Sequence, residues 1–158
     1  MDSLERTEPI LELVNRTAVR VYYEDTDFSG RVYHASYARF FERGRTEWLR
    51  QIGFRHDALA LSQTAFAVKR LEIEFRSPAF IDDALEIETI VAALTGPILR
   101  FRQTALRSEK LLAAAEVDVV TISNNRATRP PRELVEKLRA LGVDRAVDSV
   151  AERREPKR

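Results

Sequence analysis

The chain has 158 residues, with 26 Lys and Arg against 25 Asp and Glu, so its formal net charge is +1. Hydrophobic residues make up 44% and charged residues 32%, a mix typical of one globular domain. The balanced charge removes the general electrostatic argument for a nucleic-acid partner. The absence of cysteine excludes disulfides, cysteine–zinc sites, iron–sulfur clusters and a cysteine nucleophile.

The first residues, 1–16, mix acidic side chains with a few apolar ones and form a predicted N-terminal extension. This segment has neither the basic nor the apolar region of a secretory signal peptide. No apolar run in the chain approaches the ~18 residues that a membrane-spanning helix needs. We therefore expect a cytoplasmic protein with no membrane span.

The predicted domain, residues 17–141, begins with a strand over 17–24, where apolar and polar side chains alternate. A polar loop follows. The longest helical pattern of the chain covers 37–52, where apolar side chains recur with a 3.6-residue period. Gly53 is well placed to end this helix in a left-handed conformation. Gly44 in its middle predicts close packing of the helix against a sheet.

The rest of the domain alternates as strands do, in four runs: 70–75, 85–91, 98–107 and 111–122. The short turns between the runs predict antiparallel neighbours, so we expect a four-stranded meander. A short helix near 133–138 follows, and residues 142–158 are predicted to form a disordered tail. The order of elements indicates an α+β fold, with one long helix against a five-stranded antiparallel sheet.

The densest cluster of polar side chains lies in the loop before the long helix. The first amides of a helix lack internal partners and carry partial positive charge, so they stabilise a negatively charged oxygen. Asp27 is the candidate nucleophile or general base for attack on a carbonyl, with Gly30 allowing the loop to fold back. Tyr23 and His34 are candidate proton-transfer or orienting groups. The alternative is that Asp27 only caps the helix, as Asp often does.

The same loop also permits a metal-binding interpretation. Residues 25–30 match the first six positions of an EF-hand calcium loop, but the twelfth position is Ser36 instead of glutamate. A strand also precedes the loop where that motif needs a helix, so we reject it. Asp25, Asp27 and His34 are weak evidence for another metal, because three ligands at this spacing are common. We expect no metal.

From Tyr23 to Tyr37 the sequence reads YEDTDFSGRVYHASY, and Glu42 and Arg45 follow in an E-x-x-R spacing. This stretch closely resembles hotdog-fold acyl-CoA thioesterases of the 4-hydroxybenzoyl-CoA thioesterase family, above all the Tol-Pal-associated, YbgC-type branch. The resemblance extends over most of the chain. It implies a hotdog fold, in which a sheet wraps a long central helix, and hydrolysis of acyl-CoA to a free acid and coenzyme A without a cofactor.

The resemblance also implies roles for individual residues. Asp27 occupies the position of the family's catalytic carboxylate, either as nucleophile or as base for a water molecule. The backbone amide of His34 would polarise the thioester carbonyl, and its side chain and Tyr23 would assist. Family members form dimers or dimers of dimers with shared sites. The implied substrate-binding residues are Gly30, Val32, Tyr33, Phe66, Val68 and Lys69, with Arg70, Arg126 and Arg129 as candidates for the phosphates of coenzyme A.

Two other functions stay open. The chain is alternatively a non-catalytic or acyl-carrier-protein-directed hotdog protein that acts through envelope or lipid-synthesis partners, or a hotdog dehydratase. The combination of Asp27, Gly30 and His34 favours a thioesterase, because a scaffold has no need of that geometry. Phe28 is bulkier, and Arg31 more basic, than the residues usual in the family at these positions. We expect both differences to affect which acyl groups are preferred.

Overall fold

The computed structural model describes residues 13–143, so the predicted extension and tail fall largely outside the described residues. One antiparallel sheet contains six strands: β1 (Asn15–Arg20), β2 (Thr64–Phe75), β3 (Ala84–Thr95), β4 (Ile98–Arg107), β5 (Lys110–Ser123) and the short β6 (Arg126–Ala127). The helices are α1 (Ser36–Gln51), α2 (His56–Leu61) and α3 (Arg132–Ala140). The structure confirms the predicted α+β class.

The strand order corrects the predicted meander. The order in space is β1–β3–β4–β5–β2, with β6 also pairing with β5. Strands β3, β4 and β5 form the expected meander, but β2 pairs with β5 instead of β3, in a register that places Phe75 opposite Ala113. The chain leaves β2 across the end of the sheet, where the amides of Arg76 and Ser77 both donate to the carbonyl of Leu112. Strand β2 is therefore an edge strand.

The long helix α1 packs against the inner face of the sheet as its periodicity predicts. Its buried apolar side chains are Tyr37, Phe40, Phe41, Trp48 and Leu49. A Cβ atom at Gly44 would lie 2.6 Å from Oγ1 of Thr89 and 2.8 Å from Cγ2 of Ile87, so glycine lets the helix approach the sheet closely. Gly53 follows the helix with φ +90°, the predicted left-handed end.

A bulge at Lys69 keeps one face of β2 apolar. The pairing register shifts between Val68 and Arg70, so Lys69 is an extra residue in the strand. Before the bulge Phe66 and Val68 face the core side, opposite Thr121 and Val119 of β5. After it the core-facing side chains are Leu71, Ile73 and Phe75, opposite Val117, Ala115 and Ala113. A strand with simple alternation would have lost this continuous apolar face.

The prediction of a strand as far as Glu24 is wrong. Strand β1 ends at Arg20, and a 3₁₀ turn covers Tyr23–Asp25. The carboxylate of Asp25 accepts a hydrogen bond from the amide of Tyr22 at 2.8 Å. Such a side-chain bond competes with strand pairing, so the chain leaves the sheet here and enters the loop that precedes α1.

Candidate active site

The loop before α1 folds as a small hairpin, residues 26–32. Thr26 and Val32 form a bridge at its base, the amide of Asp27 donates to the carbonyl of Arg31 at 2.9 Å, and the amide of Gly30 donates to the carbonyl of Asp27 at 3.0 Å. Gly30 has φ +78°, and no atom lies within 4 Å of the position of a Cβ. Backbone freedom, not lack of space, therefore requires glycine here.

Two backbone hydrogen bonds fix the hairpin to the rest of the molecule. The amide of the buried Val32 donates to the carbonyl of Ala79 at 2.9 Å, and the amide of Tyr33 donates to the carbonyl of Asp25 at 2.8 Å. Asp25 is itself buried and holds the turn that precedes the hairpin. From the sequence alone, Asp25 is only a weak candidate metal ligand. Its role is to position the loop.

The carboxylate of Asp27 is exposed and bound within its own hairpin. Its Oδ1 accepts hydrogen bonds from the amide of Ser29 at 2.8 Å and from the hydroxyl of Ser29 at 2.5 Å. These two bonds, followed by weaker attraction to Arg31 and His34, hold the pKa of Asp27 below the ordinary value of 3.8. The N-cap position of α1 is Ala35, and no side chain caps it. Asp27 is thus an ionised carboxylate and not a helix cap.

The entrance of α1 offers hydrogen-bond donors. The amide of Ser36 donates to the carbonyl of Tyr33 at 2.8 Å, but the amides of His34 and Ala35 have no acceptor among residues 13–143. These amides lie at the positive end of the helix, whose dipole adds to their partial charge. An oxygen that gains negative charge during a reaction would find its hydrogen bonds here.

The two predicted assisting side chains differ in position. The ring of His34 packs against the ring of Tyr33, with centroids 4.4 Å apart, and its charge lowers the pKa of Asp27. The side chain of Tyr23 is 81% exposed, and its hydroxyl has no hydrogen-bond partner within the described part of the chain. Within one subunit the charge of His34 therefore acts on Asp27, whereas the hydroxyl of Tyr23 forms no hydrogen bond with the described residues.

A cleft of about 280 Å³ opens beside His34. Its walls are Arg31, Val32, His34, Tyr37, Phe75, Arg76, Ser77 and Pro78. The sequence pattern predicts a helix at Tyr37 and a strand at Phe75, and nothing in their spacing places them beside the loop. Burial raises the pKa of Tyr37, so its hydroxyl stays protonated at neutral pH.

The other predicted binding residues lie away from Asp27 within one subunit. Phe66 and Val68 line a second pocket of about 210 Å³, described further below, and Lys69 is exposed at the bulge. From Phe66 to Phe75, β2 extends roughly 30 Å at 3.3 Å per residue. The first part of β2 is therefore remote from the cleft beside His34 in the same subunit.

The three candidate phosphate-binding arginines are not equivalent. Arg70 is bound by ion pairs to Glu72 and, at 3.1 Å, to Glu116 on the outer face of the sheet. Arg126 and Arg129 are exposed and form no ion pair with any residue between 13 and 143. Arg126 and Arg129 are consequently better placed than Arg70 to bind an external phosphate.

The described residues contain no arrangement of three or more His, Asp or Glu side chains that would hold a metal ion. The carboxylate of Asp25 binds the amide of Tyr22, whereas the carboxylate of Asp27 binds Ser29. The carboxylates of Asp25 and Asp27, which the metal-binding interpretation assigns to one ion, thus form hydrogen bonds with different residues. Among residues 13–143, no helix is long and apolar enough to cross a membrane.

Residues 21–138 match the family model of the thioesterase-like superfamily. The chain belongs to this superfamily. The acyl-CoA thioester hydrolase YbgC of Escherichia coli O6:H1 is 48% identical over 108 residues, which are 68% of this chain and 81% of that protein. The acyl-CoA thioesterase YbgC of Haemophilus influenzae is 46% identical over 105 residues, covering 66% of this chain and 77% of that protein.

A solved structure agrees with these sequence relatives. The crystal structure of a probable thioesterase from Bartonella henselae superposes with a TM-score of 0.72 at 41% identity, covering 75% of this chain and 100% of that chain. These similarities confirm the hotdog fold and the resemblance to YbgC-type thioesterases. The residues that act in this member of the superfamily have to be inferred from its own geometry.

Proposed function

We propose that this thioesterase-like protein hydrolyses the thioester of acyl-CoA with Asp27 as the reacting carboxylate. Thioester hydrolysis is the activity that its superfamily and the names of its relatives support. The observation that carries the residue assignment is the hairpin 26–32. It holds an ionised Asp27 immediately before a helix entrance where the amides of His34 and Ala35 are unpaired. A nucleophile or base and an oxyanion site are what acyl transfer requires.

Two routes fit this arrangement. In the first, an oxygen of Asp27 attacks the thioester carbon, the thiolate of coenzyme A leaves, and water then hydrolyses the mixed anhydride. In the second, Asp27 removes a proton from a water molecule that attacks the same carbon. In both routes the amide of His34 would bind the carbonyl oxygen, and a proton must reach the leaving sulfur. The imidazole of His34 is the candidate for this last step, because its charge acts on Asp27 and it lines the cleft at the helix entrance; Tyr23 stays a weaker candidate.

We also infer that the active unit is at least a dimer. Strand β2 pairs only with β5 within residues 13–143, which leaves a twelve-residue edge without hydrogen-bond partners. Along it Val68, Leu71 and Phe75 are 53%, 41% and 51% exposed. A long apolar edge strand is a template for a second strand. A second copy paired along β2 would cover this edge, and a monomer in light scattering at micromolar concentration would contradict this proposal.

A symmetric antiparallel pairing near the middle of β2 brings remote residues together. It places Phe75 opposite Thr64 of the second copy and Ile73 opposite Phe66 of the second copy. The cleft beside His34 would then face the pocket lined by Phe66 and Val68 of the other subunit. Arg126, whose strand pairs at the same end of the sheet as Thr64, and Arg129 would be available for phosphates.

The test is release of free thiol from a panel of short, medium and long aliphatic acyl-CoAs together with benzoyl- and hydroxybenzoyl-CoA. Wild type and Asp27→Asn are assayed side by side. Release by the wild type that disappears in Asp27→Asn supports the proposal. Release that persists in Asp27→Asn would refute the role of Asp27. Absence of release from the whole panel would refute the acyl-CoA assignment.

If the panel gives no release, the same assay with acyl groups carried on acyl carrier protein tests the second function considered. Chelation with EDTA should leave the rate unchanged, because no step assigned here uses a metal. A cytoplasmic location, an association with Tol-Pal partners and a tetramer stay predictions of the sequence.

A further inference from the structure

A second pocket lies between α1, α2 and the sheet, away from the hairpin. It has a volume of about 210 Å³, room for roughly seven groups of the size of water at ~30 Å³ each. Its walls are mostly apolar, formed by Leu49, Phe66, Val68, Leu99, Phe101 and Val119. Three ionisable side chains also reach it: Glu42, Arg45 and His56. The pocket thus combines an apolar lining with a few polar groups, as ligand sites do.

Most hydrogen-bond donors of the Arg45 guanidinium have no partner within the described residues. Its Nη1 donates to Oε1 of Gln103 at 3.0 Å, and this is its one hydrogen bond within the described chain. No carboxylate between residues 13 and 143 lies within ion-pair distance of it. A guanidinium has five N–H donors, so four remain.

Burial makes this arrangement costly in the absence of a ligand. Arg45 is partly buried, and desolvation lowers its pKa, an effect that attraction to the nearby, exposed Glu42 only partly offsets. A guanidinium with free donors in an apolar wall binds a carboxylate well, because two parallel N–H groups match its two oxygens. Glu42 does not fill this role, since it forms no ion pair with Arg45.

The pocket has a defined relation to the reacting carboxylate if the proposed function and its dimer hold. Phe66 and Val68 lie on the core-facing side of β2. In the proposed dimer, this end of the strand would pair across the edge with the Phe75 end of the second copy. An acyl chain whose thioester lies at Asp27 of one subunit would therefore extend toward Arg45 of the other subunit.

We propose that this pocket binds the far end of the acyl group and that Arg45 selects acyl groups that end in a carboxylate. The inference rests on the proposed function and names its substrate class: monothioesters of short dicarboxylic acids. The apolar walls contact the methylene chain, and two parallel N–H groups among the four free donors of Arg45 bind the distal carboxylate. Glu42 and His56 border the same pocket.

The experiment compares glutaryl-CoA with valeryl-CoA, two esters with equal chain length that differ by the distal carboxylate. The wild type should show the higher kcat/KM for glutaryl-CoA. Arg45→Gln should lower kcat/KM for glutaryl-CoA on the order of tenfold, mainly through KM, and change that for valeryl-CoA by less than about twofold. Arg50→Gln removes the same charge from an exposed position of the same helix and should leave the ratio unchanged.

Each result has a distinct meaning. A wild type that prefers valeryl-CoA, or an Arg45→Gln variant that slows both esters equally, overturns the role of Arg45 and leaves the thioesterase assignment intact. No thiol release from any acyl-CoA overturns the proposed function and this inference with it. Circular dichroism checks that Arg45→Gln is folded; if it is not, Arg45→Lys, which keeps the charge but loses the planar fork, should retain only part of the preference.

Discussion

The surroundings of α1 differ between its N-terminal end, which follows the hairpin with Asp27, and its middle, which packs against the sheet. At its N-terminal end, the hairpin 26–32 presents an exposed Asp27 whose carboxylate is held only by Ser29, its neighbour in the hairpin. In its middle, Gly44 touches the sheet, and the buried side chain of Gln103 donates to the carbonyl of Phe41 and to Thr89, both at 2.8 Å. In the proposed function the first region takes part in the reaction, whereas the second region packs the helix against the sheet. Activity and stability should therefore respond to different substitutions.

The largest expected effect is that of Asp27→Asn on activity. The amide has the same size as the carboxylate but is neither a nucleophile nor a base, so kcat/KM should fall about 10²–10⁴-fold. Because Asp27 is exposed and not packed against the core, the urea midpoint should not change. Thiol release and urea unfolding measure the two quantities. A variant that loses activity and stability together would contradict the separation.

Gly44→Ala should give the reverse result. The added methyl group would overlap Oγ1 of Thr89 at 2.6 Å and Nε2 of Gln103 at 2.9 Å. We expect a loss of about 2 kcal/mol in the free energy of unfolding, despite the better helix propensity of alanine. Arg39→Ala, at an exposed position of the same helix, is the control and should change stability by less than about 0.5 kcal/mol. Activity per folded molecule should stay near that of the wild type.

A charged pair on the outer face of the sheet should contribute to stability and not to the proposed reaction. Arg100 binds Asp118 through two hydrogen bonds of 2.7 and 2.9 Å, and these bonds lower the pKa of Asp118 in the folded protein. Asp118→Asn should cost about 1.5 kcal/mol at neutral pH. A lowered folded pKa stabilises the protein above the unfolded pKa, and this contribution is lost as the pH falls through the folded pKa. The difference between wild type and variant in urea unfolding should accordingly shrink below about pH 4.

The smallest effect is expected from Ser29→Ala. The variant removes the hydroxyl bond to Asp27 but keeps the backbone bond, so the pKa of Asp27 should rise toward its ordinary value. The acid limb of the kcat/KM profile should move to higher pH, while the rate at neutral pH changes little. Ser29→Thr keeps a hydroxyl and should keep the wild-type limb. An unchanged limb in Ser29→Ala would show that Ser29 does not hold the reacting carboxylate.

Local patterns predicted the elements whose neighbours are close in sequence. The helix over 37–52 followed from its period, and β4 was predicted with its observed bounds, 98–107, because tight turns flank it. The sequence also predicts a turn at Gly30 and a close helix–sheet contact at Gly44, because glycine in a polar loop or in the middle of a helix usually marks such a feature. The polar loop before the long helix likewise predicts Asp27 and His34 as candidate site residues.

Other features depended on contacts that are distant in sequence. The sequence does not predict the pairing of β2 with β5, because short turns indicate only neighbours that are consecutive along the chain. The first half of β2, residues 64–69, was missed because its bulge breaks the alternation that marks a strand. The bond of Asp25 to Tyr22 ended β1 early, and the cleft beside His34 required the approach of Phe75. The periodic pattern of apolar residues along the chain does not predict contacts between residues so distant in sequence.

The bulge at Lys69 also determines which genetic changes the edge strand tolerates. The side chain of Lys69 is exposed and is the extra residue of the strand, so replacing it should matter little. Deleting it would place Arg70 directly after Val68, opposite the consecutive residues Asp118 and Val119, so β2 would alternate regularly and keep Phe66, Val68, Leu71, Ile73 and Phe75 on the same face. Replacement of this codon and its in-frame loss should therefore both keep the apolar face, whereas an in-frame insertion of one residue elsewhere in β2 would turn one half of the strand over.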